Sequence, residues 1–144
     1  MKKLTSLLFA FSITALLSLS AFAADSDFLG TWVNMNPNTR GIVKIEITAG
    51  LNMRMWGSCT PTPCDNGTTP LVTYGANSSD TNHKVATGMY VFSFKTVGTT
   101  LKVISPTRLN FEHFNKFTDG SIRQNYWMLE KFKKLNSSLD LSDL

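Results

Sequence analysis

Hydrophobic and polar positions along this chain fall into two regimes. The first is an apolar run, Leu7 to Leu19, broken only by small hydroxyl residues. Lys2 and Lys3 precede it, and Ala21-Phe22-Ala23 follows with the small-x-small pattern that signal peptidase cleaves. The run is short for a membrane span and is followed by a cleavage pattern, so it predicts a signal peptide over 1–23 and a mature chain from Ala24. No Cys follows the cleavage site, which argues against a lipid anchor there, and no stable membrane insertion is expected after cleavage.

The second regime is short-range alternation separated by turn residues, with no sustained helical period. Val43, Ile45 and Ile47 alternate with Lys44 and Glu46, and Leu51, Met53 and Met55 alternate with Asn52, Arg54 and Trp56. A period of two marks strands with one face on a core. The same pattern predicts eight strands: Phe28–Asn34, Gly41–Thr48, Leu51–Ser58, Thr69–Tyr74, Lys84–Thr96, Thr100–Ser105, Arg108–Phe117 and Ser121–Phe132. Asn36-Pro37-Asn38, Ala49-Gly50, Val97-Gly98 and Asp119-Gly120 supply turns between them. An open eight-stranded meander would expose two edges, and closure removes both. The predicted fold is therefore an all-β, eight-stranded antiparallel up-and-down β-barrel over 24–132, with a two-sheet β-sandwich as the alternative and a flexible polar tail over 133–144.

Composition narrows the picture. Removing the leader leaves 121 residues with a net charge of +2, which fits one domain. The basic residues are scattered apart from Lys131, Lys133 and Lys134, which argues against a nucleic-acid stripe. Cys59 and Cys64 form an even, close pair, and in an oxidising compartment such a pair closes a disulfide. The C-x4-C spacing does not match the redox C-x-x-C pattern. A zinc site would need the remote His83 and His113, so no metal and no cofactor is expected. Asn66, Asn77 and Asn136 open glycosylation sequons that are expected to be unmodified behind a leader of bacterial character.

Gly30-Thr31-Trp32 opens the first predicted strand and resembles the G-x-W start of the lipocalins and avidins, the calycin superfamily of eight-stranded barrels. That resemblance implies that Trp32 closes one end of the barrel, that Gly30 permits a tight approach, and that an Arg of the last strand, here Arg123, packs against the Trp. A longer set of residues is similar to a module of bacterial secreted proteins. It comprises Gly30-Thr31-Trp32-Val33-Asn34, Pro37-Asn38-Thr39-Arg40-Gly41-Ile42, and Trp56-Gly57-x-Cys59-x-Pro61-x-x-Cys64-Asp65-x-Gly67. The module usually carries Trp between the Asp and the Gly, where this chain has Asn66.

Catalytic chemistry has little footing in the sequence. Glu112-His113 is the one local acid–base pair, and neighbours on a strand point to opposite faces. Ser and Thr are plentiful, but none sits in a nucleophile-elbow pattern. No catalytic residue is assigned. Binding is favoured, with Trp56, Tyr90, Phe92 and Tyr126 as ligand-binding candidates among an aromatic set that also includes Tyr74, Phe94 and Trp127. Trp56 adjoins the stapled Cys59–Cys64 loop, and a rigid loop loses less entropy on binding. The expectation is a secreted or periplasmic, non-enzymatic barrel that binds a small apolar or amphipathic ligand. The alternatives are a module that binds a secreted or periplasmic protein, such as an inhibitor of a secreted enzyme, and a weak hydrolase.

Overall fold

The structure, a computed structural model, describes residues 25–135; the leader over 1–23 and the tail from Asn136 onward lie outside the described residues. The strands are β1 (Gly30–Asn34), β2 (Ile42–Ile47), β3 (Asn52–Gly57), β4 (Cys64–Pro70), β5 (Val72–Tyr74), β6 (Val85–Val91), β7 (Lys95–Ser105), β8 (Arg108–Phe117) and β9 (Tyr126–Lys134). They form one antiparallel sheet in the order β4-β3-β2-β1-β9-β8-β7-β6-β5. The two ends of that order, β4 and β5, are consecutive in the chain with Leu71 alone between them. The sheet therefore curls back on itself as an up-and-down, nearly closed barrel rather than a two-sheet sandwich.

Among the described residues there are nine strands and not eight, because the predicted fourth breaks at Leu71. β4 pairs with β3, whereas β5 pairs with β6. Pro70 has no N–H to continue a ladder, and the Leu71 N–H donates to the Leu51 carbonyl at 2.8 Å while its side chain turns into the core. Side chains tie the seam. The Thr69 hydroxyl donates to the Met89 carbonyl and the Tyr90 hydroxyl to the Met53 carbonyl, both at 2.7 Å. Gly88 makes the close approach possible, since a Cβ there would lie 3.0 Å from both the Thr69 and the Leu71 side chains.

Other boundaries differ from the sequence reading as well. β4 starts at Cys64 rather than Thr69, because Cys64 and Asp65 already pair with Gly57 and Trp56 of β3. The β6–β7 turn lies at residues 92–94, where the Phe92 N–H donates to the Lys95 carbonyl at 2.9 Å. Val97 and Gly98 are inside β7, because Val97, Thr99, Leu101 and Val103 continue one inward period. The last strand begins at Tyr126 rather than Ser121 and continues through Lys133 and Lys134. The third, β3–β4 connection carries the Cys59–Cys64 disulfide, with Cα atoms 5.4 Å apart. A disulfide is consistent with a periplasmic or extracellular protein. Among the described residues no helix is long and apolar enough to cross a membrane.

The two ends of the barrel are built differently. At the lower end Phe28 and Trp32 are fully buried, and the indole N–H of Trp32 donates to the Phe28 carbonyl at 2.8 Å. The segment ahead of β1 is thereby folded under the barrel. Lys84 pairs with Asp27, and the His83 ring contacts Asp25 at 3.2 Å and Thr73 at 2.8 Å. Gly30 enters β1 at φ +113°, a conformation that side chains rarely adopt. The cation over Trp32 is Lys134, with Nζ 4.7 Å from the ring centroid. Arg123 lies instead in the β8–β9 connection at the upper end, against Phe117. Loops at 35–41, 58–63, 92–94 and 118–125 frame that upper end.

Candidate functional site

The inward register of β8 reads Leu109, Phe111, His113, Asn115, and that of β9 reads Met128, Glu130, Phe132. Polar groups thus take over the core positions as the barrel rises. Phe111 is opposite Glu130 and His113 opposite Met128, so His113 meets Glu130 diagonally, with Nε2 3.2 Å from Oε2. Glu130 is 6% exposed, yet both of its oxygens are filled. Oε1 accepts from Asn34 Nδ2 at 2.9 Å and from the Thr39 hydroxyl at 2.5 Å. Oε2 accepts from the Ile42 N–H at 3.0 Å as well as from His113. Burial by itself would raise the Glu130 carboxyl, but the hydrogen bonds from His113, Thr39 and Ile42 outweigh it and hold the pKa below its ordinary value. Gly41 is needed here, because a Cβ would fall 2.6 Å from a Glu130 oxygen.

A one-way hydrogen-bond chain leads from this carboxylate to the rim. Lys95 Nζ is 2.9 Å from Asn115 Oδ1, and Asn115 Nδ2 is 2.8 Å from His113 Nδ1. An ammonium only donates, so it sets the amide orientation, which makes His113 Nδ1 an acceptor and leaves the proton on Nε2, facing Glu130. Burial lowers the pKa of Lys95, and the charge of Arg123 lowers it further. Burial raises Tyr126, helped by the charge of Glu130. Its ring stands edge-on to His113 at 6.4 Å and beside Phe117 at 6.2 Å.

A cleft of about 390 Å³ opens next to Glu130, lined by Asn34, Met35, Thr39, Met128, Leu129 and Lys131 among others. It lies where β1 leaves β9: the register runs from Trp32–Lys134 to Asn34–Phe132, the Met35 N–H donates to the Lys131 carbonyl at 2.9 Å, and the β1–β2 loop departs beyond that bond. The cleft walls combine thioether and aliphatic surface with the Asn34–Thr39–Glu130 cluster, a composition that suits an amphipathic ligand.

The sequence-selected candidates are distributed as follows. Tyr90 is buried in the lumen and stacks on Phe92 at 6.1 Å, which in turn neighbours Phe94 at 6.1 Å. Burial raises the Tyr90 pKa, with Asp65 adding to the effect. Tyr126, on β9, is partly exposed, with His113 and Phe117 as its ring neighbours. Trp56 stands apart on the outer wall of β3, opposite Lys44, whose Nζ lies 3.7 Å from the indole centroid, with Arg54 at 5.2 Å. Arg54 also pairs with Asp65, whose pKa falls to about 2, through that guanidinium bond first and the Gly67 N–H next. Trp127 and Tyr74 are exposed; the Trp127 N–H donates to Glu112 and the Tyr74 hydroxyl bonds Thr87.

Glu112 therefore points outward while His113 points inward. The partner of His113 is Glu130, seventeen residues away and invisible to local pairing. A signal did exist: an acidic residue at the same parity as Phe132, and a His and an Asn at the same parity as Phe111. Among the described residues no group of three His, Cys, Asp or Glu is placed to hold a metal ion. No protein-family model, no curated protein and no solved structure matches this chain.

Proposed function

We propose that this chain is a secreted or periplasmic, non-enzymatic, calycin-like barrel that binds a small apolar or amphipathic ligand at its upper end. The observation that carries the reading is the asymmetry of the barrel. The lower end is plugged by Phe28 and Trp32, while the upper end presents a cleft of about 390 Å³ beside a preorganised polar cluster. A volume above about 300 Å³ is enough for a small organic molecule. The non-enzymatic part rests on occupied groups: both ring nitrogens of His113 and both oxygens of Glu130 are engaged in structural hydrogen bonds. The location rests on the leader pattern and the disulfide.

A second reading, a module that docks on another protein, is favoured by the outer face. Trp127, Phe114, Gly98 and Met89 are successive cross-strand partners across β9, β8, β7 and β6. Trp127, Phe114 and Met89 are all about half exposed, so they form an apolar row on the surface. Trp56 beside the disulfide loop would serve the same role on another wall.

Native mass spectrometry of the protein purified from its own host tests both. A small co-purifying mass that is lost on denaturation supports the ligand reading. A co-purifying protein supports the second. The bare chain mass alone, in gentle conditions, overturns the ligand reading.

A further inference from the structure

The ligand-binding reading leaves open what head group the upper end accepts, and the rim carries an unusual arrangement of charge. Lys95 starts β7 directly after the aromatic turn, and Arg123 lies in the facing β8–β9 connection. Both cations flank the same ring: Lys95 Nζ is 5.8 Å and Arg123 Cζ 5.3 Å from the Phe94 centroid. Lys95 also lies 5.7 Å from Phe92, and Arg123 lies 4.2 Å from Phe117. Arg123 has a carboxylate partner in Asp119. Lys95 has none among the described residues; its hydrogen-bond partner is the amide oxygen of Asn115.

A half-buried ammonium held by an amide and ring faces, with a second cation converging on it, is electrostatically incomplete. Desolvation and like charge both disfavour it, and both lower the Lys95 pKa. A bound anion would relieve each effect at once. Asn115 is itself 3% exposed and is fixed through His113 to Glu130, so Lys95 is aimed by a buried support rather than left to wander. The surrounding rings set the rest of the ligand. Phe94 is 38% exposed, and Phe92 and Phe117 are half-buried beside it. Flat apolar surface next to two cations suits a molecule with a planar apolar body and one acid group.

We propose that the upper rim is a binding site for a small organic anion, an aromatic or otherwise flat apolar acid whose carboxylate or sulfonate sits against Lys95 and Arg123 while its body lies on Phe92, Phe94 and Phe117. The proposal rests on the reading that the upper end binds a ligand, and it places the acid on the rim around 92–95 and 117–123, whose residues are separate from those that line the cleft beside Glu130.

The test is isothermal titration at pH 7 with a matched pair, 2-naphthoate and 2-naphthalenemethanol, which share the ring and differ in charge. The carboxylate is expected to bind about tenfold more tightly than the alcohol, in keeping with a charge-assisted contact. Lys95→Gln and Arg123→Gln should each remove most of that preference, lowering the affinity for the carboxylate far more than that for the alcohol. Lys95→Arg should keep it. Arg123 sits in an exposed loop, so its variant reports even where Lys95→Gln loosens the barrel. Equal affinities for acid and alcohol, or a preference that survives both substitutions, overturn the acid-group proposal and leave the ligand-binding reading standing. Binding of neither probe overturns the proposed ligand class, and a small mass retained in native spectra separates that result from failure of the ligand-binding reading itself.

Discussion

Replacing Glu130 by Gln is the most demanding perturbation this barrel offers. The substitution preserves shape but turns one oxygen into an N–H2 group. Each oxygen of Glu130 faces two donors: Asn34 and Thr39 at Oε1, the Ile42 N–H and His113 at Oε2. Whichever way the amide is placed, it sets a donor against two donors. Hydrogen bonds to a charged group contribute about 1.5–3 kcal/mol each, and a buried donor left unpaired costs about 1–3 kcal/mol. The Thr39 hydroxyl can rotate to accept, which trims the loss, so E130Q is expected to cost about 3–5 kcal/mol at pH 7. The pH dependence follows from the lowered pKa of Glu130. A group whose folded value lies below its ordinary value of 4.5 stabilises the fold fully above that value, and the contribution is lost as pH falls through the folded value. The stability gap between wild type and E130Q should therefore be widest at neutral pH and shrink on acidification below about 4.5. Urea unfolding followed by far-UV circular dichroism from pH 7 down to pH 3 measures both quantities. A gap under about 1 kcal/mol at neutral pH, or one that does not change with pH, would show that the four bonds do not hold the β1–β2 loop as argued.

Trp32→Ala should destabilise by about 3–5 kcal/mol, since it empties the floor of the barrel; an unchanged denaturation midpoint would mean that Trp32 does not close that end. Tyr90→Phe should cost about 1 kcal/mol through loss of the bond to the Met53 carbonyl across the seam, and hydrogen exchange of amides in β3 and β6 should rise selectively. Opening the Cys59–Cys64 loop by substituting both residues with Ser should lower stability by about 2 kcal/mol, the entropy of a short closed loop, and peptide mapping without reductant should find the two sulfurs linked in the native protein.

The hydrophobic alternation was enough to determine the class of structure. Val43, Ile45 and Ile47 alternating with charged neighbours can satisfy a core only as a strand, and so many short strands in series favour curling into a barrel. The family resemblance implied a tight approach at Gly30; a Cβ there would meet only Lys134 at 3.9 Å, and it is the φ of +113° that favours glycine. Local signals misplaced the β6–β7 turn because Val97-Gly98 has the chemistry of a turn while Phe92-Ser93-Phe94 has none. Gly98 lies inside the sheet, between Met89 and Phe114. The break at Leu71 could not be read locally either, because it depends on β4 and β5 pairing with two different strands to bring the barrel around.

The polar site is the clearest case of what only tertiary structure decides. Parity marks His113, Asn115 and Glu130 as inward-facing, but parity does not say which of them meet. That depends on the register between β8 and β9, on the β1–β2 loop delivering Thr39 and Ile42 to the same carboxylate, and on the turn that places Lys95 against Asn115. The exchange of roles between Lys134 and Arg123 has the same origin. The family resemblance implied a cation near Trp32, but which cation lies there depends on where β9 starts and how far it runs, and that is set by pairing energies summed over the whole sheet.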